Sequence, residues 1–185
     1  VTLLDEAALA GADLSRFEAI VTGVRAYNTR NDLVAAQARL LDYVDGGGTL
    51  VVQYNTERGL VTDRLGPYPF KLSRDRVTDQ TAAVRFLLPD SPLLQLPNRI
   101  SANDFTGWVQ ERGLYFAGSW DPAFAAPLGM ADPGEKESAG SLLVARHGKG
   151  AFVYTGLAFF RQLPAGNPGA TRLFLNLLGA GRNRA

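Results

Sequence analysis

Cysteine is absent from the 185 residues, and histidine occurs once, at His147. The first absence excludes disulfides, a thiolate nucleophile and any cysteine-ligated zinc. A lone histidine cannot furnish a multi-histidine metal centre, and no Asp/Asn-rich calcium loop appears. Neither metal nor cofactor is therefore expected in this segment. Lysine is scarce too: Lys71, Lys136 and Lys149 are the only lysines among nineteen cations, the rest being arginine. Neither sign of charge is in excess. A net charge of +1 and a pI near 8.2 leave no basic footprint for nucleic acid or an anionic membrane surface. Long apolar runs are also missing. AFVYTGLAFF at 151–160 is half the roughly 20 residues that cross a bilayer, so no membrane span is expected. No charged-then-apolar leader opens the chain. It starts on Val1 in a strand-like VTLL and reads as a piece of a longer polypeptide.

What is present suits one domain over residues 1–185, with 46% hydrophobic and 20% charged residues to build and cover a core. VTLL (1–4) reads as a short strand, followed by a helical connector in which Asp13 caps a turn around Leu14–Phe17. EAIVTGV (18–24) is a continuous apolar run of the kind found in buried parallel strands, and RAYNTRN is its loop. Asn31 or Asp32 caps the clearest helix, 32 to 45, whose Leu33, Ala36, Leu40, Tyr43 and Val44 share one face. Gly46 to Gly48 end it and TLVVQY (49–54) follows as a second buried strand, completing a right-handed βαβ unit.

From 56 to 140 helical periodicity gives way to an irregular, β-rich segment, with prolines at 67, 69, 89, 92 and 97. Short extended pieces are expected at PYPFKL, RVTD, AVRFLL, GLYFAGS and FAAPLGM, and a short helix at ISANDF with a Ser101–Asp104 capping pair. SLLVAR and AFVYTGL flank HGKG as a hairpin, and a last helix runs from Pro168 to about residue 180 before GAGRNRA frays.

Three of these stretches resemble class I glutamine-amidotransferase-like (ThuA-like) domains: LLDYVDGGGTLVVQYN, LLPDSPLLQLPNRISANDFTGW and ARHGKGAFVYTGLAFFRQLP. GVRAYNTR, DFTGWVQERGLYF and VYTGLAFFRQLPAG together are similar to the domain that follows the catalytic domain in bacterial PIG-L (LmbE-like) deacetylases. The resemblance implies a flavodoxin-like α/β fold, with a parallel sheet flanked by helices. It also implies that a further strand and helix precede Val1 and occupy the middle of the sheet. The family departures are chemical. The Cys–His–Glu triad of the amidotransferases has no cysteine here, and one histidine cannot supply the zinc ligands of a PIG-L deacetylase.

The candidate site residues fall into two groups. Arg25, Tyr27 and Asn28 follow one strand, while Gln53, Tyr54 and Asn55 end the next. Parallel neighbours bring these ends to one rim, where amides, phenols and a guanidinium suit recognition of hydroxyls or a carboxylate. None is a good nucleophile or neutral-pH base. Fixing of loops by buried amides is the alternative use of the same residues. Asp104, Glu111 and Asp121 lie among Trp108, Tyr115 and Trp120, a composition that suits sugar stacking, carboxylate acid–base chemistry or plain packing. Glu111 and Arg112 are adjacent and suit a surface ion pair. His147 and Lys149 sit in the RHGKG turn, where both are ordinary, although Lys149 between glycines also suits an anion.

The expectation is a non-catalytic accessory domain of a PIG-L-type deacetylase. It would bind carbohydrate, position the catalytic domain of the parent chain, or assemble as a homo-oligomer. A carboxylate-dependent hydrolase acting on carbohydrate, and an oligomerisation module like the trimerisation domains of some glycosidases, are the rival readings.

Overall fold

The computed structural model describes residues 1–182. The α/β reading holds, and each element has a local cause. α1 (Glu6–Gly11) is capped by the Asp5 carboxylate, and Asp13 caps a single 3₁₀ turn at Leu14–Arg16. β1 (Ala19–Thr22) runs to a short α2 (Ala26–Thr29), so the segment read as a plain loop contains a helical turn. α3 (Asp32–Asp45) covers the expected span. Asn31 holds its N-cap position without a side-chain capping bond, while Asp32 pairs with Arg30.

β2 (Thr49–Gln53) pairs in parallel with β1. The irregular segment contains β3 (Phe70–Leu72), β4 (Arg76–Val77), β5 (Val84–Phe86), α4 (Pro92–Gln95), β6 (Gly113–Leu114), β7 (Ala117–Trp120) and β8 (Leu128–Met130). Its strands form three antiparallel two-stranded ribbons, β3–β7, β4–β6 and β5–β8. The ISANDF piece is a 3₁₀ turn at Ala102–Phe105, and the Ser101–Asp104 capping box is formed. β9 (Leu142–His147) and β10 (Gly150–Thr155) make the hairpin. α5 (Phe159–Gln162) and α6 (Pro168–Leu178) close the chain, α6 being capped by the Asn167 side chain.

The main sheet has the order β1-β2-β10-β9, parallel except for β9. Alternation along the strands divides the core. Leu50, Val52, Phe152 and Tyr154 join Leu33, Leu40 and Val44 of α3 in one cluster. Val51, Ala151 and Val153 join Leu173 and Leu177 of α6 in the other, with Trp108, Phe116 and Phe159. The sheet is thus buried on both faces, as a parallel sheet requires.

Two terminal expectations change. VTLL is not a strand: residues 1–5 are irregular, and Leu3 is exposed because no strand pairs with it. β1 therefore stands at the sheet edge with Val21 exposed. Beside it runs a largely apolar groove of about 830 Å³, lined by Leu3, Leu4, Ile20, Val21, Phe174 and Leu178. At the other terminus Ala180 and Gly181 are tied down rather than frayed. The Thr49 hydroxyl accepts from the Gly181 N–H at 2.9 Å, and both carbonyls accept from Arg146. The last three residues of GAGRNRA lie outside the described residues.

The glycine junction has two distinct duties. Gly47 takes φ 124°, open to glycine and strained for other residues. Gly150 opens β10 where it crosses the end of α3: a Cβ there would lie 2.1 Å from the Val44 carbonyl oxygen and 2.2 Å from that of Gly48. These are backbone atoms that cannot rotate away. Gly150→Ala is accordingly expected to destabilise the fold by about 3 kcal/mol, read as a lowered urea midpoint. An unchanged midpoint would show that the junction has slack.

Candidate functional site

The parallel strands β1, β2 and β10 all end at one edge of the sheet, the place where open α/β sheets gather ligands. Arg25, Tyr27 and Asn28 meet Gln53, Tyr54 and Asn55 there. Most of their polar atoms are already used. Asn55, fully buried, accepts from the Tyr27 N–H at 2.8 Å and donates to the Gln53 carbonyl at 2.9 Å. Asn28 accepts from the Thr56 N–H at 2.9 Å and donates to the Thr56 and Arg58 carbonyls at 3.1 Å. Gln53 donates to the Thr22 carbonyl at 3.2 Å, linking the two strand ends. Tyr27 is 0% exposed, and its hydroxyl donates to Gln37 at 2.7 Å. Burial raises its phenol well above the ordinary value, so it stays a neutral core group.

What the amide lock leaves to solvent is a cationic and aromatic surface. Half-buried Tyr54 stacks on Tyr115, with ring centroids 5.8 Å apart and planes at 16°, and leans on Phe160 at 5.3 Å. Arg161 lies 4.8 Å over the Phe160 ring and pairs with Glu111 at 2.5 Å. Burial raises the Tyr54 phenol; Arg25 and Arg161 pull it down, and Glu111 and Tyr115 push it up. All four groups are thus within electrostatic reach of one ring. Among the described residues three non-glycine positions have positive φ, Arg25 (57°), Gln110 (67°) and Tyr115 (53°), and two of them carry side chains of this surface. Such backbone persists only where its surroundings impose it. For Tyr115 the imposing contact is the buried Tyr154 hydroxyl, which donates to its carbonyl at 2.5 Å.

The second group of sequence candidates does not assemble as one groove. Trp108 is 2% exposed and its indole N–H donates to the Asp104 carbonyl at 2.9 Å, which places its ring in the core. Asp104 completes the capping box and pairs with Arg172 of α6 at 2.9 Å. Glu111 pairs with Arg161 rather than with its neighbour Arg112. Arg112 is buried and donates to the Ala82 and Phe105 carbonyls. Trp120 lines a separate polar cleft of about 440 Å³ beside Asp75, Arg76 and Lys136. Asp121 accepts from the Ala123 N–H at 2.8 Å within its turn. His147 packs edge-on to Tyr68 at 5.9 Å, and the Lys149 N–H donates to the Asp45 carbonyl. Among the described residues no cluster of three or more His, Asp or Glu side chains is placed to hold a metal. No helix among them is long and apolar enough to cross a membrane.

Sequence reasoning overlooked Phe160 and Arg161, and left Tyr115 among the tryptophans. The available signal was position: LAFFRQ follows a buried strand and therefore belongs to the same rim as YN at 54–55.

No protein-family pattern and no curated protein matches this chain. Solved structures do resemble it. A cytoplasmic protein from Salmonella typhimurium superposes with a TM-score of 0.56 at 15% identity, over 96% of this chain and 75% of its own. Alpha-L-fucosidase isoenzyme 2 from Paenibacillus thiaminolyticus gives 0.54 at 14% identity, over 92% of this chain and 26% of its own. The beta-galactosidase from Rahnella sp. R3 gives 0.52 at 15%, over 95% and 24%. At such identities the likeness is one of fold. In both glycosidases the shared part is about a quarter of the chain.

The lock makes a stability prediction. Asn55→Ala strands the buried Tyr27 N–H and the Gln53 carbonyl, and is expected to cost about 3 kcal/mol. Chemical denaturation measures it; a loss under about 0.5 kcal/mol would mean that water replaces the amide.

Proposed function

We propose that this chain is a non-catalytic accessory domain of a carbohydrate-processing enzyme, a PIG-L-type deacetylase by its sequence resemblance, and that the carboxyl-edge rim recognises carbohydrate. One observation carries the reading: the rim's amides are consumed in holding the loops, and the side chains left to solvent are three aromatic rings and two arginines. Such a surface stacks and hydrogen-bonds sugars, and it offers no nucleophile paired with a base. The fold's occurrence within chains named as a fucosidase and a galactosidase supports a glycan setting. The hydrolase alternative draws less support, because Asp104 and Glu111 are each committed to an arginine, on α6 and α5 respectively.

A second reading, self-association, is favoured by the open β1 edge and its apolar groove, which suit pairing with another strand.

Calorimetric titration with galactotriose, chitotriose and trigalacturonate tests the first reading. At least one trisaccharide is expected to bind. Tyr115→Asn, which tolerates the left-handed backbone, should weaken that binding roughly fivefold. Absence of binding to all three would overturn the reading, as would turnover of any of them by the wild-type chain that Glu111→Gln abolishes. Sedimentation of the same sample as a dimer or larger species would favour the assembly reading.

A further inference from the structure

The charges at the rim do not balance. Arg161 is neutralised by Glu111, while the exposed guanidinium of Arg25 has no hydrogen bond or ion pair to any described residue. Its backbone, by contrast, is held from both sides. The Arg25 N–H donates to the Tyr54 carbonyl at 2.8 Å, and its own carbonyl accepts from the Asn28 N–H at 2.9 Å and the Thr29 hydroxyl at 3.2 Å. The residue is kept at φ 57° and ψ 19°, a conformation in which arginine is uncommon. A fixed main chain that carries an unengaged planar fork beside the Tyr54 loop offers a carboxylate a bidentate partner.

Resting on the carbohydrate reading of this rim, we propose that its ligand is an acidic sugar. A hexuronate unit would place its single carboxylate on the Arg25 guanidinium and its ring against the Tyr54–Tyr115 pair. With Arg161 taken by Glu111, Arg25 is left as an unpaired cation beside the rings, and a carboxylate on the sugar would neutralise it. The aromatic surface argues for a ring rather than a bare ion. The binding is non-covalent, with no proton or group transferred.

The experiment is a calorimetric comparison of trigalacturonate with neutral galactotriose and inorganic phosphate, on the wild-type chain and on Arg25→Asn and Arg25→Lys. Asparagine is tolerated at positive φ, so the first variant removes the charge without new backbone strain. Its thermal unfolding curve verifies that it folds. The expected result is that trigalacturonate binds more tightly than galactotriose and that Arg25→Asn loses that preference, weakening trigalacturonate by about ten- to a hundredfold. Arg25→Lys should keep part of it, and the preference should shrink between 50 and 500 mM salt on the order set by Debye screening. Equal affinity for the charged and neutral trisaccharides, or a preference unchanged in Arg25→Asn, would overturn the acidic-sugar assignment while leaving carbohydrate recognition standing. Phosphate binding as tightly as trigalacturonate would overturn it in favour of a simple anion site. Failure of all three trisaccharides, chitotriose included, would remove both readings.

Discussion

The side chain of Asn55 stands where β1 and β2 end, and the rim is built around it. Its oxygen takes the Tyr27 N–H, its nitrogen serves the Gln53 carbonyl, and no part of it reaches solvent. A buried amide that is satisfied at both ends fixes the relation of two loops, and one left unsatisfied would be costly. The left-handed turn at Arg25, the burial of Tyr27 against Gln37 and the placement of Tyr54 all depend on those loops keeping their spacing. Asn28 repeats the arrangement one residue further along with Thr56 and Arg58. Stability and recognition are thereby divided between neighbouring residues: amides inward, rings and guanidinium outward.

The irregular segment completes this division. Its β3–β7 and β4–β6 ribbons bring Leu114 to Phe116 over the end of β10, where the Gly156 carbonyl accepts the Leu114 N–H and Tyr154 grips the Tyr115 carbonyl. Gly113 and Gly156 lie so close that a Cβ on Gly113 would approach the Gly156 oxygen to 2.4 Å. Tyr115 is therefore held from below by the sheet itself. The ring it presents to Tyr54 is thus anchored through β10 to the same sheet that carries the amide lock.

Much of the scaffold was legible in the sequence because local patterns dictate it. The α3 face, the continuous apolar β2 and the glycine-flanked hairpin each carry their own period or turn chemistry. VTLL was misread because strand propensity describes a residue's fit to a sheet and says nothing about whether a partner strand is present. Gathering Arg25, Tyr54, Tyr115, Phe160 and Arg161 required knowing that β10 lies beside β2. The hairpin signal settles β10's pairing with β9 and is silent on its other neighbour. Trp108 shows the converse difficulty. Its aromatic-rich stretch left sugar stacking and packing both open, and packing is what occurs: its N–H finds a carbonyl four residues back and its ring fills the core with Phe105 and Phe159.

Native-state hydrogen exchange at Tyr27 and Thr56 tests the lock most directly, since their amide protons are bonded to the Asn55 and Asn28 side chains and to no backbone carbonyl. If the lock is as integral as the sheet, both protons exchange only through global unfolding, with an opening free energy matching that of Val51 in β2. Exchange of both protons by local fluctuation, much faster than that of Val51, would contradict it, and the rim would then be a mobile loop pair rather than a preorganised surface.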